Sequence, residues 1–599
     1  MCKRCLPCVW ILLLLPIATL QTQAGGAAKR PNILVIFTDD HGYTDLSCHN
    51  LKKDIKTPHI DSLAAGGVRM TSGYVTAPQC VPSRAGLLSG RYQNRFGVES
   101  NGKSLKGFNE QLTIAEQLKK AGYVTGMIDK WHLGPANEIT EHGFDDVFYQ
   151  GGSWINFSVD GKDAKPGSKF KDMYHLDAGS AAAKAFIKRH HKNPFFLYVA
   201  YRAPHVPLDP PKKYLDRFQG KMPERRRKAL AMLSAVDDGV GGILKSLREY
   251  DIERQTLIFF ISDNGAPLKI FMLDAPGGGP GWDGSLNFPL LGEKGMLTEG
   301  GVRVPFLVYW KGTIPPQKEY DHPVISLDVA ATSLALAGLP PNKKHDGVNL
   351  LPYLTGKKKT APHETLYWRW IAQSAVREGQ WKYLRGGSRE YLFDVSTLDG
   401  EKHNVIKKHP EIAARLKAKL NNWAKELSPP GLATGKMSAT WEAYYDYYLD
   451  GKPAPKRLKA GNTASIRGWI TRNGKSTLQA GFLNVSPMGK KQAPFLVVNK
   501  VNFAGPITAV VRLRTKQAGR LGVAWRETGQ KDFPPKQVVM FKCKKSADWQ
   551  EHQLNLDTKR TVIHIRVLLP ASGADVERIE FRSTNGKVLR KWDFTKGDS

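Results

Sequence analysis

Between residue 32 and about residue 316, short apolar runs alternate with stretches whose apolar residues recur every three to four positions. That alternation predicts an α/β domain with a mostly parallel sheet flanked by helices. The runs 33–37, 124–128, 195–200, 257–261 and 306–310 read as buried strands. Thr57-Pro58 opens a helix that Gly66 closes, and Thr113 with Glu116 forms a capping box for a helix ending before Gly122. Pro82 and Ser83 suit a cap and first turn, so a further helix is expected through Leu88, with Cys80 just beyond its N-terminus. From 365 to 427 short strands around 375–377, 381–385 and 391–393 precede a helix with Ile412, Leu416, Leu420, Trp423 and Leu427 on one face. This predicts a small antiparallel sheet with a packing helix. A Pro- and Gly-rich linker spans 428–460, interrupted by an aromatic cluster at 441–448 that is expected to pack on the first domain. From 461 to 599 the period falls to two: Val511 and Leu513 alternate with Arg512 and Arg514, Ile563 and Ile565 with His564 and Arg566, and Ile579 and Phe581 with Glu580 and Arg582. A β-sandwich follows from that alternation. Trp469, Trp525, Trp549 and Trp592 are expected mostly in its core rather than on a sugar-stacking platform. No internal repeat is present.

Charge narrows the partners. The 599 residues carry 88 Lys and Arg against 55 Asp and Glu, a formal +33 with pI about 9.7. Such a field attracts polyanions. No helix-turn-helix, zinc-finger or RNA-binding signature supports nucleic acid, and a sulfated polysaccharide fits the same field. Residues 1–24 read as a secretory signal, with Lys3 and Arg4, the apolar run 9–17, and Thr22-Gln23-Ala24 as cleavage site. The run is too short for a bilayer, so no stable membrane span is expected and the chain is placed outside the cytoplasm, periplasmic or extracellular. Cys2, Cys5 and Cys8 have metal-like spacing but lie in the segment to be removed. The remaining Cys48, Cys80 and Cys543 make no disulfide scaffold. The domain limits are then 25–364 for the α/β domain, 365–427 for its small subdomain, 428–460 for the linker and 461–599 for the β-sandwich.

Candidate chemistry gathers where strands end. Cys80 opens the run Cys-Val-Pro-Ser-Arg-Ala-Gly-Leu-Leu-Ser-Gly-Arg through Arg91. Free N–H groups and the positive end of a helix dipole favour an anion there, and Arg84, one turn on, suits the oxygens of a sulfate or phosphate. Asp39 and Asp40 follow the first strand, and Asp263 and Asn264 follow the strand ending near 261. Asp-Asp-His-Gly and Asp-Asn-Gly are also turn sequences, but together they form a hard, oxygen-only set suited to calcium or magnesium. Lys130, His132, His205 and Lys294 fall at comparable loop positions. His345, Asp346, Trp368 and Arg369 are weaker pocket candidates. Asn156-Phe157-Ser158 and Asn484-Val485-Ser486 match the glycosylation pattern, and the Gly-rich run 277–284 lacks the Lys-Ser/Thr of a phosphate loop.

From 32 to about 427 the sequence resembles the formylglycine-dependent sulfatases, arylsulfatase-like members of the alkaline-phosphatase superfamily. The resemblance rests on Asp39-Asp40-His41-Gly42, the Cys80 block, Lys130-Trp131-His132-Leu133-Gly134, Pro204-His205, Asp263-Asn264-Gly265, and Lys294 followed by Glu299-Gly300-Gly301-Val302-Arg303-Val304-Pro305. It implies an alkaline-phosphatase-like fold and an aldehyde, formylglycine, made from Cys80 by a maturation enzyme. By the same resemblance Asp39, Asp40, Asp263, Asn264 and the modified Cys80 hold one Ca2+, with Mg2+ less favoured. Arg84 and Lys130 stabilise the formylglycine, His132 pairs with one of its hydroxyls, and His205 and Lys294 hold the sulfate and help the leaving group. Asp129 departs from the family, which often has Gly before the lysine. The chemistry so implied is attack on sulfur by a gem-diol hydroxyl, protonation of the departing alcohol by a histidine, and loss of sulfate as the aldehyde re-forms, with His132 taking the proton. The expected activity is an exported sulfuric ester hydrolase acting on a sulfated carbohydrate of polysaccharide or glycosaminoglycan type. Two alternatives stay open: a phosphonate monoester or phosphodiester hydrolase with the same aldehyde, and a non-catalytic polyanion-binding protein.

Overall fold

The computed structural model describes residues 30–102, 104–149, 153–155, 173–269, 282–429, 435–453, 466–479, 481–488, 493–530, 532–558 and 560–595. The predicted signal at 1–24, the Asn156 tripeptide, most of the Gly-rich run and part of the linker lie outside them. Two compact units are present, Met1–Lys456 and Arg457–Ser599.

The first unit is built on nine strands, β1 Asn32–Asp39, β2 Val68–Met70, β3 Val124–Asp129, β4 Asp146–Tyr149, β5 Ser153–Ile155, β6 Phe195–Pro204, β7 Thr256–Ser262, β8 Phe306–Tyr309 and β9 Gln317–Tyr320. They form one sheet in the order β9-β2-β8-β7-β1-β6-β3-β4-β5. β7, β1, β6, β3 and β4 run parallel, β2 and β9 run parallel to each other, and β8 and β5 are antiparallel to their neighbours. Every residue of β1 and β7 is buried, as central strands covered on both faces require. Helices α1 Pro58–Gly66, α2 Cys80–Ser89, α3 Ile114–Lys120, α4 His175–His190 and α5 Glu224–Glu249 cover the sheet. Two cores result: one joins Phe37, Phe196, Tyr198 and Phe259 to α2 and α3, and the other joins Leu34, Ile36, Leu197 and Phe260 to α4 and α5.

Thr113 and Glu116 form the predicted capping box on α3. The start of α2 differs from the sequence reading. The N-cap is Gln79, so Cys80 is the first helical residue and Ser83 lies inside the helix with an unpartnered hydroxyl. An earlier cap wins because Asn101 Oδ1 accepts from Val81 N, and Gln79 Oε1 accepts from Asn101 N.

The subdomain adds an antiparallel sheet of four strands, β10 Thr365–Trp370, β11 Gln373–Glu378, β12 Trp381–Gly386 and β13 Arg389–Asp394. Helix α6 Pro410–Lys425 buries Ala413, Leu416, Leu420 and Trp423. The aromatic cluster is a helix, α7 Ala439–Tyr448, and packs within the first unit.

The second unit is two antiparallel sheets. One orders Ile470–Arg472, Phe495–Phe503, Val562–Leu568, Gly519–Glu527 and Val538–Cys543; the other has six strands centred on Ile507–Thr515 and Ala574–Ser583. Trp469, Trp525 and Trp592 are in its core, whereas Trp549 is half-buried against Arg514. Two alternation readings need correction. Ile563 is half-buried while Val562, Ile565 and Val567 are buried, because the pairing shifts between Arg526 and Glu527. Glu580 is buried and bonds Arg582.

Candidate active site

Parallel strands deliver their C-terminal residues to one edge, and the candidate residues meet there. Asp39 ends β1 and Asp40 follows it, Asp263 and Asn264 follow β7, Asp129 ends β3 with Lys130 to His132 after it, and His205 follows β6. Three non-glycine residues here are left-handed: Asp40 at φ 61°, Asp129 at φ 76° and His132 at φ 62°. Each conformation costs on the order of 1 kcal/mol or more, and such costs cluster where side chains must be aimed. The φ of Asp129 accounts for a glycine being favoured before the lysine, and Lys130 still reaches Asp39.

Cys80 is wholly buried. Its Sγ lies 3.5 Å from Asp39 Oδ1, 4.0 Å from Asp40 Oδ1 and 3.2 Å from Lys294 Nζ. Lys294 Nζ also donates to Asp40 Oδ1 at 2.5 Å. Arg84 is buried, donates from Nε and Nη2 to Asp263 Oδ2 at 3.2 and 2.8 Å, and donates from Nη1 to the Lys130 carbonyl at 3.0 Å and the Tyr198 hydroxyl at 3.3 Å. Asn264 Nδ2 donates to Asp40 Oδ1 at 2.6 Å, and Asp40 N donates to Asp263 Oδ1 at 3.0 Å. His205 Nδ1 faces the Val206 carbonyl, so this nitrogen carries the hydrogen and Nε2 faces Asp40 Oδ2, 3.6 Å away.

Burial alone would raise the Asp39 carboxyl, but Lys130, His205, Arg84 and Lys294 hold it well below its ordinary range. Burial pushes the Cys80 thiol up, with Asp263 adding to the rise, so it is a neutral thiol. Asp40 keeps Lys294 protonated despite its burial. Burial, then Lys130 and Arg84, depress His132 to about 3, which leaves a neutral imidazole.

These residues fit a hard cation. Ligand atoms of Asp39, Asp40, Cys80 and Asp263 lie within 4.8 Å of one another. Asn264 Oδ1 beside them is buried and without a partner among the described residues, an uncompensated acceptor of the kind a cation satisfies. His59, Asp237 and Asp238 also converge, but Asp237 accepts the backbone N–H groups of His59 and Ile60 and caps α1.

Other candidates have structural work. Trp368 is buried and donates to the Val75 carbonyl, Arg369 pairs with Glu99, and Asp346 accepts from Tyr92 N and Arg95. His345 bonds Asn342, and His41 is fixed between Thr38 and the Asp45 carbonyl. Sequence reasoning missed Tyr198 on Arg84 and the role of α7. Tyr448 donates to Glu293 at 3.1 Å, Trp441 covers Gly295 so closely that a Cβ there would meet its ring at 2.1 Å, and Tyr445 donates to Gln373, which bonds the Gly295 carbonyl. Lys294 thus sits in a loop held from both sides. The concentration of aromatics at 441–448 was the available signal.

The Sulfatase family matches residues 31–339, and the family described as N-sulphoglucosamine sulphohydrolase, C-terminal, matches 291–426. An N-acetylgalactosamine-6-sulfatase of Canis lupus familiaris is 33% identical over 408 residues, 62% of this chain and 74% of that protein. An N-acetylgalactosamine-6-O-sulfatase of Bacteroides thetaiotaomicron is 29% identical over 491 residues, covering 66% of this chain and 93% of that one. Among solved structures, Ps i-CgsB in complex with k-i-k-neocarrahexaose superposes with a TM-score of 0.59 at 30% identity, over 70% of this chain and 97% of the other.

Proposed function

Because the chain belongs to the sulfatase family of sulfuric ester hydrolases, we propose that it removes sulfate from a sulfated carbohydrate, with an aldehyde formed from Cys80 and one calcium ion. The observation that carries this reading is the convergence of Asp39, Asp40, Asp263 and the unpartnered Asn264 Oδ1 on Cys80, with Lys294 against its Sγ. Relatives named for N-acetylgalactosamine 6-sulfate and a neighbour holding a neocarrahexaose support a sugar substrate.

Cys80 Sγ marks where the oxygens of the hydrated aldehyde would stand. The hydrate would supply one hydroxyl to attack sulfur and a second whose deprotonation releases sulfate, and the cation held by the three aspartates and Asn264 would lower the pKa of the attacking hydroxyl. Lys294 and Lys130 bring two ammonium groups to the sulfuryl oxygens. Arg84 is already engaged by Asp263, so it fixes that carboxylate as well as adding positive charge. His205, with Nε2 turned to the site, delivers a proton to the departing alcohol oxygen. His132, which enters the site as a neutral imidazole, is by the family resemblance the residue that would take the proton in the second step.

The reading of residues 1–24 as a secretory signal supports export; no helix among the described residues is long and apolar enough to cross a membrane. An aryl sulfate compared with the matched aryl phosphonate tests the reaction. Sulfate turnover should dominate and Cys80→Ala should abolish it, with peptide mass spectrometry showing aldehyde or hydrate at Cys80. Faster phosphonate turnover, or an unmodified thiol in fully active protein, would overturn the reading.

A further inference from the structure

Away from Cys80, a cavity of about 580 Å³ opens between the edge of the large sheet and the small antiparallel sheet. Three arginines, Arg69, Arg303 and Arg377, line it together with Asp321 and His322. None of its lining residues belongs to the constellation around Cys80. Thr71 and Asp321 in its wall follow β2 and β9, whose C-terminal ends lie on the same sheet edge as those of β1 and β7. β2 is three strand positions from β1, about 14 Å at the usual strand spacing.

The arginines are not fully used by the protein. Arg303 is 3% exposed and engages the Thr71 carbonyl through Nε and Glu299 through Nη1. Arg377 is 4% exposed and engages the Gly379 carbonyl through Nε and the Tyr74 hydroxyl through Nη1. Nη2 of each has no protein partner among the described residues. Arg69 reaches Glu319 through Nη2 only. Two nearly buried guanidinium groups with donors to spare, and a third at the rim, form a site for an anion. Acceptors stand beside them. Asp321 Oδ1 receives the Thr71 hydroxyl while Oδ2 is available to a ligand hydroxyl. The volume lies within the range of small-ligand pockets.

We propose that this cavity is a second carbohydrate site, which binds an anionic sugar residue through Arg69, Arg303 and Arg377 and its hydroxyls through Asp321. The demand for an anion bearing hydroxyls comes from the cavity; the choice of a sulfated sugar rests on the proposed reaction. The sugar is either a residue of the polymer whose sulfate lies at Cys80 or a free saccharide.

The test uses the full chain with Cys80→Ala, so that nothing is turned over, and galactose 6-sulfate as probe with galactose as the uncharged control. Calorimetric titration should show one more bound equivalent of galactose 6-sulfate than in the same chain carrying Arg69→Gln and His322→Gln, two rim substitutions that leave the buried arginines in place. Any binding left at the altered site should be about tenfold weaker or worse. Galactose should not bind there. Equal stoichiometry with equal affinity in the two proteins, or equal binding of galactose, overturns the site. A multiply sulfated oligosaccharide separates the sources: weaker binding in the double variant assigns the site to the polymer, and unchanged oligosaccharide binding with loss of the monosaccharide assigns it to free sugar. With Cys80 intact, aryl sulfate turnover should be equal with and without the rim substitutions. Absence of that turnover in both would remove the sulfatase reading while leaving the binding result standing.

Discussion

Lys294 stands where positive charge is needed, its ammonium bridging Asp40 Oδ1 and Cys80 Sγ. In metal-free protein Lys294→Met leaves a buried carboxylate short of a partner, which costs about 3 kcal/mol. Bound calcium should make up part of that charge, so denaturant unfolding should show a larger loss with chelator than with calcium. An identical loss in both conditions would mean that lysine and metal do not share the carboxylates. Asp263→Ala should lower metal content and rate together, because it removes a ligand and the partner of Arg84; elemental analysis beside an aryl sulfate assay checks this, and full metal content in the variant would exclude Asp263 as a ligand. At this scale the strand ends were legible, since Asp39, Asp40, Asp263 and Asn264 follow apolar runs that fold as adjacent strands. The engagement of Arg84 was not. Its partners Asp263, Tyr198 and the Lys130 carbonyl are 46 to 179 residues away in the chain, and only the packed sheet brings them together.

Elements hold these residues by contacts that periodicity does not encode. Helix α7 lies beyond the stretches matched to either family, yet Tyr448 and Trp441 brace the loop that carries Lys294. Tyr448→Phe deletes one hydrogen bond, and kcat on an aryl sulfate should fall about fivefold, as expected for about 1 kcal/mol. A lowered Tm with unchanged kcat would reduce α7 to a packing element. The subdomain carries a pH-sensitive contact. Asp328 accepts from His363 at 2.8 Å, and although burial opposes the charge on His363, Asp328 prevails and raises its pKa. The stability so gained is fully present below the free imidazole value of about 6.5 and is lost as pH rises through the higher folded value. Urea unfolding at pH 6 and pH 9 should therefore show a larger decline in the parent than in His363→Gln; equal declines would remove the contribution. The antiparallel course of β8 was not readable either, because a buried strand flanked by parallel and antiparallel neighbours has the same apolar run in both directions.

For the molecule as a whole, charge is unevenly shared. Residues 457–599 hold 27 Lys and Arg against 10 Asp and Glu, an excess of 17 out of the formal 33. The arginines there that alternate with core residues are paired: Arg512 with Glu577, Arg514 with Asp575, Arg582 with Glu580, and Arg566 at 4.0 Å from Asp532. Alternation showed which residues leave the core but not what they meet outside it. Attraction for a polyanion then comes from the net excess rather than from a built surface, and such attraction is screened within about 10 Å at 0.1 M salt. A chain ending at Lys456 should turn over an aryl sulfate at the parent rate and lose affinity for a sulfated polysaccharide only at low ionic strength. Equal affinity at low salt would leave the second unit a bracing role. The burial of Cys80 sets a further condition, one of timing. With no exposed surface on the thiol and Asp39, Asp40 and Lys294 packed against it, the closed sheet shields the sulfur that an open chain leaves bare. In a refolding time course, an alkylating agent should mark Cys80 fastest in the earliest samples and much more slowly afterwards, and an oxidation that makes the aldehyde is favoured within that same early interval.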